Sequence, residues 1–169
     1  MKKHLVLASL LSVAPVLYAA GPEAAATIDA KAAFERLRTL AGQWEVATDK
    51  GKIPITYEVM SAGSALVERV VVEGMPMETI FYLDGPRLLL THYCLLGNQP
   101  RMQARAYNPA TGELAFEFLD ATNLASPGAA HMHNVTLHFV DADHLVNDWQ
   151  LFEDGHLKST EHFQAARVK

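Results

Sequence analysis

Apolar and polar residues alternate with a period of two from Trp44 to the end of the chain, and turn-forming residues interrupt this alternation at regular intervals. The turn sequences are "DKGK" (49–52), "SAGS" (61–64), "EGMP" (73–76), "DGP" (84–86), "GNQP" (97–100), "NPATG" (108–112), "ATNLASPGAA" (121–130), "DAD" (141–143) and "EDG" (153–155). Such a pattern is typical of consecutive β-hairpins. Ten strand-like runs lie between the turns, and no helical segment long enough for a parallel crossover separates them. The sequence therefore predicts an antiparallel sheet.

The predicted sheet has a helix in front of it and no obvious partner for its two edge strands. The segment "DAKAAFERLRTLAG" (29–42) predicts a helix of about three turns, with Asp29 as N-cap and Gly42 as the C-terminal stop. Exposed edge strands can pair with other chains through their unpaired backbone groups, and closure of the sheet into a barrel removes these edges. We therefore expect an all-β fold, a roughly ten-stranded antiparallel up-and-down barrel with one N-terminal helix covering an end. A two-sheet sandwich is the alternative. A barrel of this strand number tends to enclose a cavity.

The N-terminus carries the pattern of a secretory signal peptide. Lys2 and Lys3 precede an apolar stretch that ends in small residues and is interrupted by Pro15. We predict a signal peptide over 1–20, a linker over 21–29 and a calycin-like barrel domain over 30–169. No later segment is apolar enough to span a membrane, so we expect no transmembrane segment after cleavage. The predicted location is periplasmic or secreted.

Charge limits the partners of the exported chain. The full sequence has a formal net charge of −5, and removal of the two signal lysines takes it to −7. No basic run follows the signal, whereas nucleic acids and anionic membrane surfaces require clustered lysine and arginine. We expect no nucleic-acid partner. The single cysteine also excludes an intramolecular disulfide.

His92 and Cys94, in "LTHYCLLGNQPRM" (90–102), share one face of a predicted strand. The simplest interpretation is a buried thiol beside a hydrogen-bonded histidine, because unpaired cysteine is among the most buried residue types. The functional interpretation directs both side chains into the cavity, with His92 orienting a ligand. Their separation of about 6.8 Å along the strand makes a direct bond awkward, and Cys94 is a poor candidate for a catalytic nucleophile.

Two further groups of polar residues are candidates for ligand contact. His131 and His133 form a His-x-His pair, which could supply half of a zinc site, but the pattern favours two histidines at the barrel mouth that bind no metal. Polar residues also interrupt apolar strands: Glu68 and Arg69; Arg101, Gln103 and Arg105; Asn147 and Trp149. Interior arginines can hold carboxylates in such barrels. Alternation favours an outward Arg105, whereas Arg101 follows a turn from which it could reach the mouth.

Two segments carry a resemblance to known barrels. "FERLRTLAGQWEV" resembles the opening of calycin-type barrels, in which a short helix leads to Gly-x-Trp, here Gly42-Gln43-Trp44. "THYCLLGNQPRM" together with "HMHNVTLHFVDADHL" is similar to bacterial secreted lipocalin-like proteins of unestablished function. The resemblance covers essentially the whole mature chain, and it implies a barrel fold and small-molecule binding. Related nitrobindin-type barrels bind haem through a strand histidine, but the glycines that follow their Gly-x-Trp are missing here.

Three functions are compatible with these patterns. The first is an exported barrel that binds a small apolar or amphipathic molecule in its cavity. The expected lining residues are Trp44, Phe81, Phe116, Cys94 and Trp149. The candidate polar anchors are His92, Arg101 and His133. The second is a haem- or metal-binding barrel with redox or isomerase activity. The third is a non-enzymatic envelope interaction module with a filled core. No catalytic motif is present, and neither a cofactor nor a catalytic residue can be assigned.

Overall fold

The structure, a computed structural model, describes residues 28–169, so the predicted signal peptide (1–20) and most of the predicted linker (21–29) lie outside the described residues. The elements are α1 (Ala30–Arg38), β1 (Gly42–Thr48), β2 (Gly51–Met60), a short 3₁₀-helix (Ser61–Gly63), β3 (Ala65–Val72), β4 (Met75–Asp84), β5 (Arg87–Tyr93), β6 (Gln99–Asn108), β7 (Glu113–Thr122), β8 (His131–Phe139), β9 (His144–Glu153) and β10 (His156–Arg167). Neither helix in this part of the chain is long and apolar enough to cross a membrane.

The ten strands form one closed antiparallel barrel in which each strand pairs with the next along the chain. The barrel closes between β1 and β10, where Trp44 lies opposite Arg167 and Val46 lies opposite Ala165. Closure satisfies the backbone groups that the first and last strands would otherwise expose. The predicted fold, an up-and-down barrel preceded by one helix, is confirmed.

Helix α1 is amphipathic and packs on one end of the barrel. The Asp29 side chain accepts a hydrogen bond of 2.9 Å from the backbone N–H of Ala32, which caps the first turn as predicted. Ala33, Phe34 and Leu37 are buried, and the helix contacts β4, β5 and β6. One end of the barrel is thereby closed to solvent.

The Gly-x-Trp segment joins this helix to the barrel. The indole N–H of Trp44 donates a 2.7 Å hydrogen bond to the carbonyl of Leu40, just after α1. The Arg167 guanidinium lies 4.4 Å from the Trp44 ring centroid, a cation–π contact. Gly42 has φ +132°, and a Cβ there would lie 3.0 Å from the same guanidinium. The backbone conformation therefore favours glycine at this position, whereas the flexible Arg167 side chain could move away from a Cβ.

The barrel interior is packed in the half next to α1 and hollow in the other half. Large side chains that are almost completely buried fill the helix half: Leu66, Phe81, Leu88, Leu90, Met102, Leu114, Phe116 and Leu137. Trp44, Phe81 and Phe116, which the sequence suggested as cavity residues, belong to this packed half. Their size explains the difference, because they fill the space that they were expected to line.

Candidate ligand cavity

The hollow half of the barrel contains a cavity of about 290 Å³. It lies toward the turns that join β3 to β4 and β5 to β6, away from α1. Most of its wall is apolar, formed by Val46, Ile53, Ile55, Val70, Val72, Met77, Cys94, Leu95, Leu96, Met132, Trp149, Leu151 and Phe163, and the polar lining residues are Glu68, His92, Asn147 and Glu161. A predominantly apolar wall with a few polar groups is the usual composition of a small-molecule site.

A row of four buried polar residues crosses the sheet at the inner limit of this cavity. Tyr57 pairs with Glu68 across β2 and β3, Glu68 pairs with Thr79, and Thr79 pairs with His92. All four are buried. We call these four residues the polar row.

Strand alternation explains why the polar row separates the two halves of the interior. On β3, Leu66 lies two residues toward the packed half and Val70 two residues toward the cavity, with Glu68 between them. On β5, Leu90 and Cys94 flank His92 in the same way. Residues two apart share a face of a strand, so Glu68 and His92 of the polar row form part of the floor of the cavity on this side of the barrel, with Tyr57 and Thr79 beside them outside the lining.

His92 is held in place by two contacts. Its Nδ1 and the Thr79 hydroxyl share a hydrogen bond of 2.9 Å, and its ring centroid lies 4.8 Å from that of Trp149. Burial lowers the pKa of His92 to about 4, because removal from water disfavours the charged imidazolium. The imidazole is therefore neutral at pH 7.

Glu68 is a carboxyl group enclosed by the barrel. Burial raises its pKa to about 7, and its interaction with Tyr57 opposes part of that rise. Burial, together with the nearby Glu68 charge, also raises the pKa of Tyr57 well above its ordinary value. The floor of the cavity thus carries at most one negative charge near neutral pH, and that charge is on Glu68.

Three buried oxygen atoms at or beneath this floor have no hydrogen-bond partner among the described residues: Glu68 Oε2 and Asn147 Oδ1, whose residues line the cavity, and Tyr57 Oη, whose residue does not. The Tyr57 hydroxyl is close enough to the Glu68 carboxyl and the Asn147 amide to affect the pKa of Tyr57. These contacts shift the pKa values of Tyr57 and Glu68 but leave the three oxygen atoms without a closed hydrogen bond. Buried polar atoms are normally paired, so this cluster of unpaired ones is unusual for a purely structural core.

Cys94 lies in the cavity wall next to the exposed turn between β5 and β6. Its side chain lines the cavity, and its backbone N–H donates a 3.1 Å hydrogen bond to the carbonyl of Asn98, which closes the turn between β5 and β6. Burial raises the pKa of the Cys94 thiol. Leu95 and Leu96 in the same turn line the cavity and are also exposed, so this turn forms part of the mouth.

Three of the five residues predicted as ligand contacts, His92, Cys94 and Trp149, lie together in the cavity wall. Arg101 does not line this cavity. Its guanidinium donates from Nε to Asp120 Oδ1 at 2.6 Å, and both side chains are more than 40% exposed. Its partner is therefore an acid on the neighbouring strand.

His133 is also separate from the cavity wall. Its ring stacks between Phe118 and Phe152, with centroid distances of 4.5 and 4.2 Å. Its Nδ1 and Nε2 of His131 share a hydrogen bond of 3.0 Å. Burial and the proximity of His131 lower the pKa of His133. The register of β8 against β9 shifts between Met132 and Asn134, and this irregularity accommodates His133.

The sequence identified Glu68 and Asn147 only as polar residues on apolar strands, without selecting them as ligand anchors, and it gave no sign of Tyr57. A single strand does not reveal which face is interior. The alternation Leu66-x-Glu68-x-Val70 is the available signal, since it places a glutamate where an aliphatic residue is expected. For Tyr57, which has ordinary strand propensity, no such signal exists.

Within residues 28–169, no group of three or more histidine, cysteine, aspartate or glutamate side chains is arranged to hold a metal ion.

Comparison with models of known protein families finds no match to this chain, and comparison with curated proteins finds none either.

Proposed function

We propose that this protein is an exported lipocalin-like barrel that binds a small, partly apolar molecule in the cavity between the polar row and the β5–β6 turn. The observation that carries this proposal is the combination of a cavity of about 290 Å³ with unpaired polar atoms at its floor. Empty apolar space costs stability, because the lining atoms lose packing contacts. Buried polar atoms without partners add a further cost. A ligand with an apolar body and a polar head would offset both.

The sequence supports the exported and lipocalin-like parts of this proposal. The first 20 residues carry the signal-peptide pattern. The Gly-x-Trp element that resembles calycin-type barrels coincides with the start of β1, and its tryptophan anchors the end of the helix. Strand number and closure are compatible with a barrel of this kind.

The two alternative functions have weaker support. His92 is the only histidine among the described residues that line the cavity, and His131 and His133 bond to each other elsewhere, which gives a haem or metal site few ligands. An interaction module with a filled core would need no cavity of this size.

A pair of neighbouring substitutions on β3 tests the proposal. Val70 lines the cavity, whereas Val71 is 48% exposed. Val70→Phe should fill part of the cavity and weaken binding of the neutral apolar fluorophore N-phenylnaphthylamine by at least about tenfold, while Val71→Phe should bind it like the unsubstituted protein.

The measurement is a fluorescence titration of purified protein, with circular dichroism to confirm that each variant is folded. Native mass spectrometry of protein from its natural host would then identify the ligand. Failure of the unsubstituted protein to bind the fluorophore, or equal binding by both variants, would overturn the proposal.

A further inference from the structure

The charges of the cavity wall are unusual for a site that would hold a fatty acid or another anion. Two glutamates, Glu68 and Glu161, line the cavity, and none of the described lining residues is a lysine or an arginine. His92 is neutral at pH 7 for the reason given above. A buried carboxylate ligand would therefore have no counter-charge, which is strongly unfavourable in an apolar environment.

The three unpaired atoms at or beneath the floor are all oxygens. Glu68 is 6%, Tyr57 2% and Asn147 3% exposed, and each has one side-chain oxygen without a partner among the described residues. They come from β3, β2 and β9, so strands on different sides of the barrel contribute. The Asn147 oxygen and the ionised Glu68 carboxylate are acceptors, whereas the Tyr57 hydroxyl can donate or accept, so the first two require hydrogen-bond donors from a ligand.

The number and type of donors distinguish between ligand classes. A primary ammonium group offers three N–H donors and a positive charge, and it can serve a carboxylate, a hydroxyl and an amide oxygen together. A ligand carbonyl could accept from Tyr57 but would leave the Asn147 oxygen unpaired. An alcohol offers a single donor. The ammonium group satisfies the most atoms and supplies the missing charge.

We propose that the cavity selects amphiphilic primary amines, with the ammonium group bound by Glu68 and Asn147, which line the cavity, and the apolar part of the ligand lying against the aliphatic wall. This inference rests on the proposed function, because it names the ligand class of the same cavity. Glu161, on β10, lines the cavity as well and adds negative potential along the path of an entering cation.

Proton release should accompany amine binding. Glu68 has a pKa of about 7 in the absence of a cation, so a bound ammonium ion would require or induce loss of its proton. The titratable groups around Glu68 are Tyr57 on β2, His92 on β5 and Glu161 on β10; of these, Tyr57 and His92 stay neutral between pH 6 and 8. Amine affinity should consequently rise about tenfold from pH 6 to pH 8, whereas alcohol affinity should stay nearly constant.

Displacement of N-phenylnaphthylamine by octylamine, octanol and octanoate tests the inference, because the three ligands share a chain and differ in the head group. Octylamine should displace the fluorophore at a concentration at least about tenfold below that of octanol, and octanoate should be the weakest competitor. Glu68→Gln should abolish the preference for the amine and retain binding of octanol. Glu117→Gln, an exposed acid on β7 that lies near Arg105, is the matched control and should keep the preference.

The possible results separate this inference from the function on which it rests. Equal displacement by amine and alcohol, stronger displacement by octanoate, or no displacement by any of the three overturns the amine inference while the cavity proposal stands. Absence of fluorophore binding overturns both. If Glu68→Gln does not fold, the pH series on the unsubstituted protein decides, and an octylamine affinity that does not rise from pH 6 to pH 8 overturns the inference.

Discussion

Glu68 and His92 lie two strands apart in the same interior row, and burial reverses their usual order of proton affinity. The pKa of Glu68 rises to about 7, and the pKa of His92 falls to about 4, with desolvation as the main cause in both cases. A proton at this floor therefore resides on the carboxyl group rather than on the imidazole. The two side chains form no ion pair at pH 7, which leaves the Glu68 carboxyl available to a ligand.

Cys94 should react slowly with alkylating reagents. Its thiol is buried and its pKa is raised, and the thiolate is the reactive species. We expect iodoacetamide to modify it at least about tenfold more slowly than a cysteine in an unstructured peptide at pH 8. Saturation of the cavity with N-phenylnaphthylamine should slow the reaction further, because the thiol lines the same space. Mass spectrometry follows the modification, and a rate equal to that of the peptide would contradict this account.

Arg101 should contribute little to either stability or binding. Its ion pair with Asp120 is largely exposed, and pairs of this kind are worth at most about 1 kcal/mol. Arg101→Ala should change the free energy of unfolding by less than about 1 kcal/mol and leave fluorophore affinity unchanged. Equilibrium unfolding and the fluorescence titration measure the two quantities. A loss of affinity in Arg101→Ala would instead support the role of ligand anchor that its position after a turn suggested.

Trp44 should stabilise the junction between helix and barrel through its indole N–H. Trp44→Phe keeps an aromatic ring in the core but leaves the Leu40 carbonyl without its donor. We expect a loss of about 1–3 kcal/mol in the free energy of unfolding. Trp149→Phe is the matched control, because the Trp149 indole donates no hydrogen bond within the described residues, and it should cost less. Urea unfolding provides the comparison, and equal losses would argue against a specific role for the Trp44 bond.

The fold could be predicted from the sequence because its signals are local. Turn residues such as Gly97 and Gly112, which both adopt positive φ, mark where strands end, and alternation between them identifies the strands. Closure followed from the cost of exposed edges. The Asp29 cap was predictable for the same reason, since the capping interaction spans only three residues.

The candidate site was harder to predict because it depends on which way each strand faces and on pairing across strands. His92 was found because it shares a strand face with apolar residues and a cysteine. The interaction of Glu68 with Tyr57 depends on the register of β2 against β3, which no local pattern specifies. Arg101 and His133 lie outside the cavity wall for a related reason, because their contacts come from neighbouring strands. Arg101 pairs with Asp120 on β7. His133 lies at a register shift of β8 and stacks on aromatic rings.

The opposite pKa shifts of Glu68 and His92 predict an unusual dependence of stability on pH. Glu68 has a folded pKa of about 7 against an ordinary value of 4.5, so its contribution to stability is present below pH 4.5 and is lost as the pH rises through 7. His92 has a folded pKa of about 4 against 6.5, so its contribution is present above pH 6.5 and is lost as the pH falls through 4. Each contribution is on the order of 3 kcal/mol. Between pH 4.5 and 6.5 a rise in pH therefore lowers the free energy of unfolding through Glu68 and raises it equally through His92, so the two slopes cancel.

Removal of either group should expose the contribution of the other. Glu68→Gln should gain stability as the pH rises from 4 to 6.5, and His92→Gln should lose stability as the pH rises from 4.5 to 7, each relative to the unsubstituted protein. Urea unfolding at a series of pH values measures the slope, and the slope is insensitive to any constant packing cost of the substitution. Glu117→Gln, which is exposed, should leave the pH profile unchanged. The cancellation requires the two substitutions to change the slope of the free energy of unfolding against pH in opposite directions. Changes in the same direction, or no change, would show that burial does not reverse the proton affinities of Glu68 and His92.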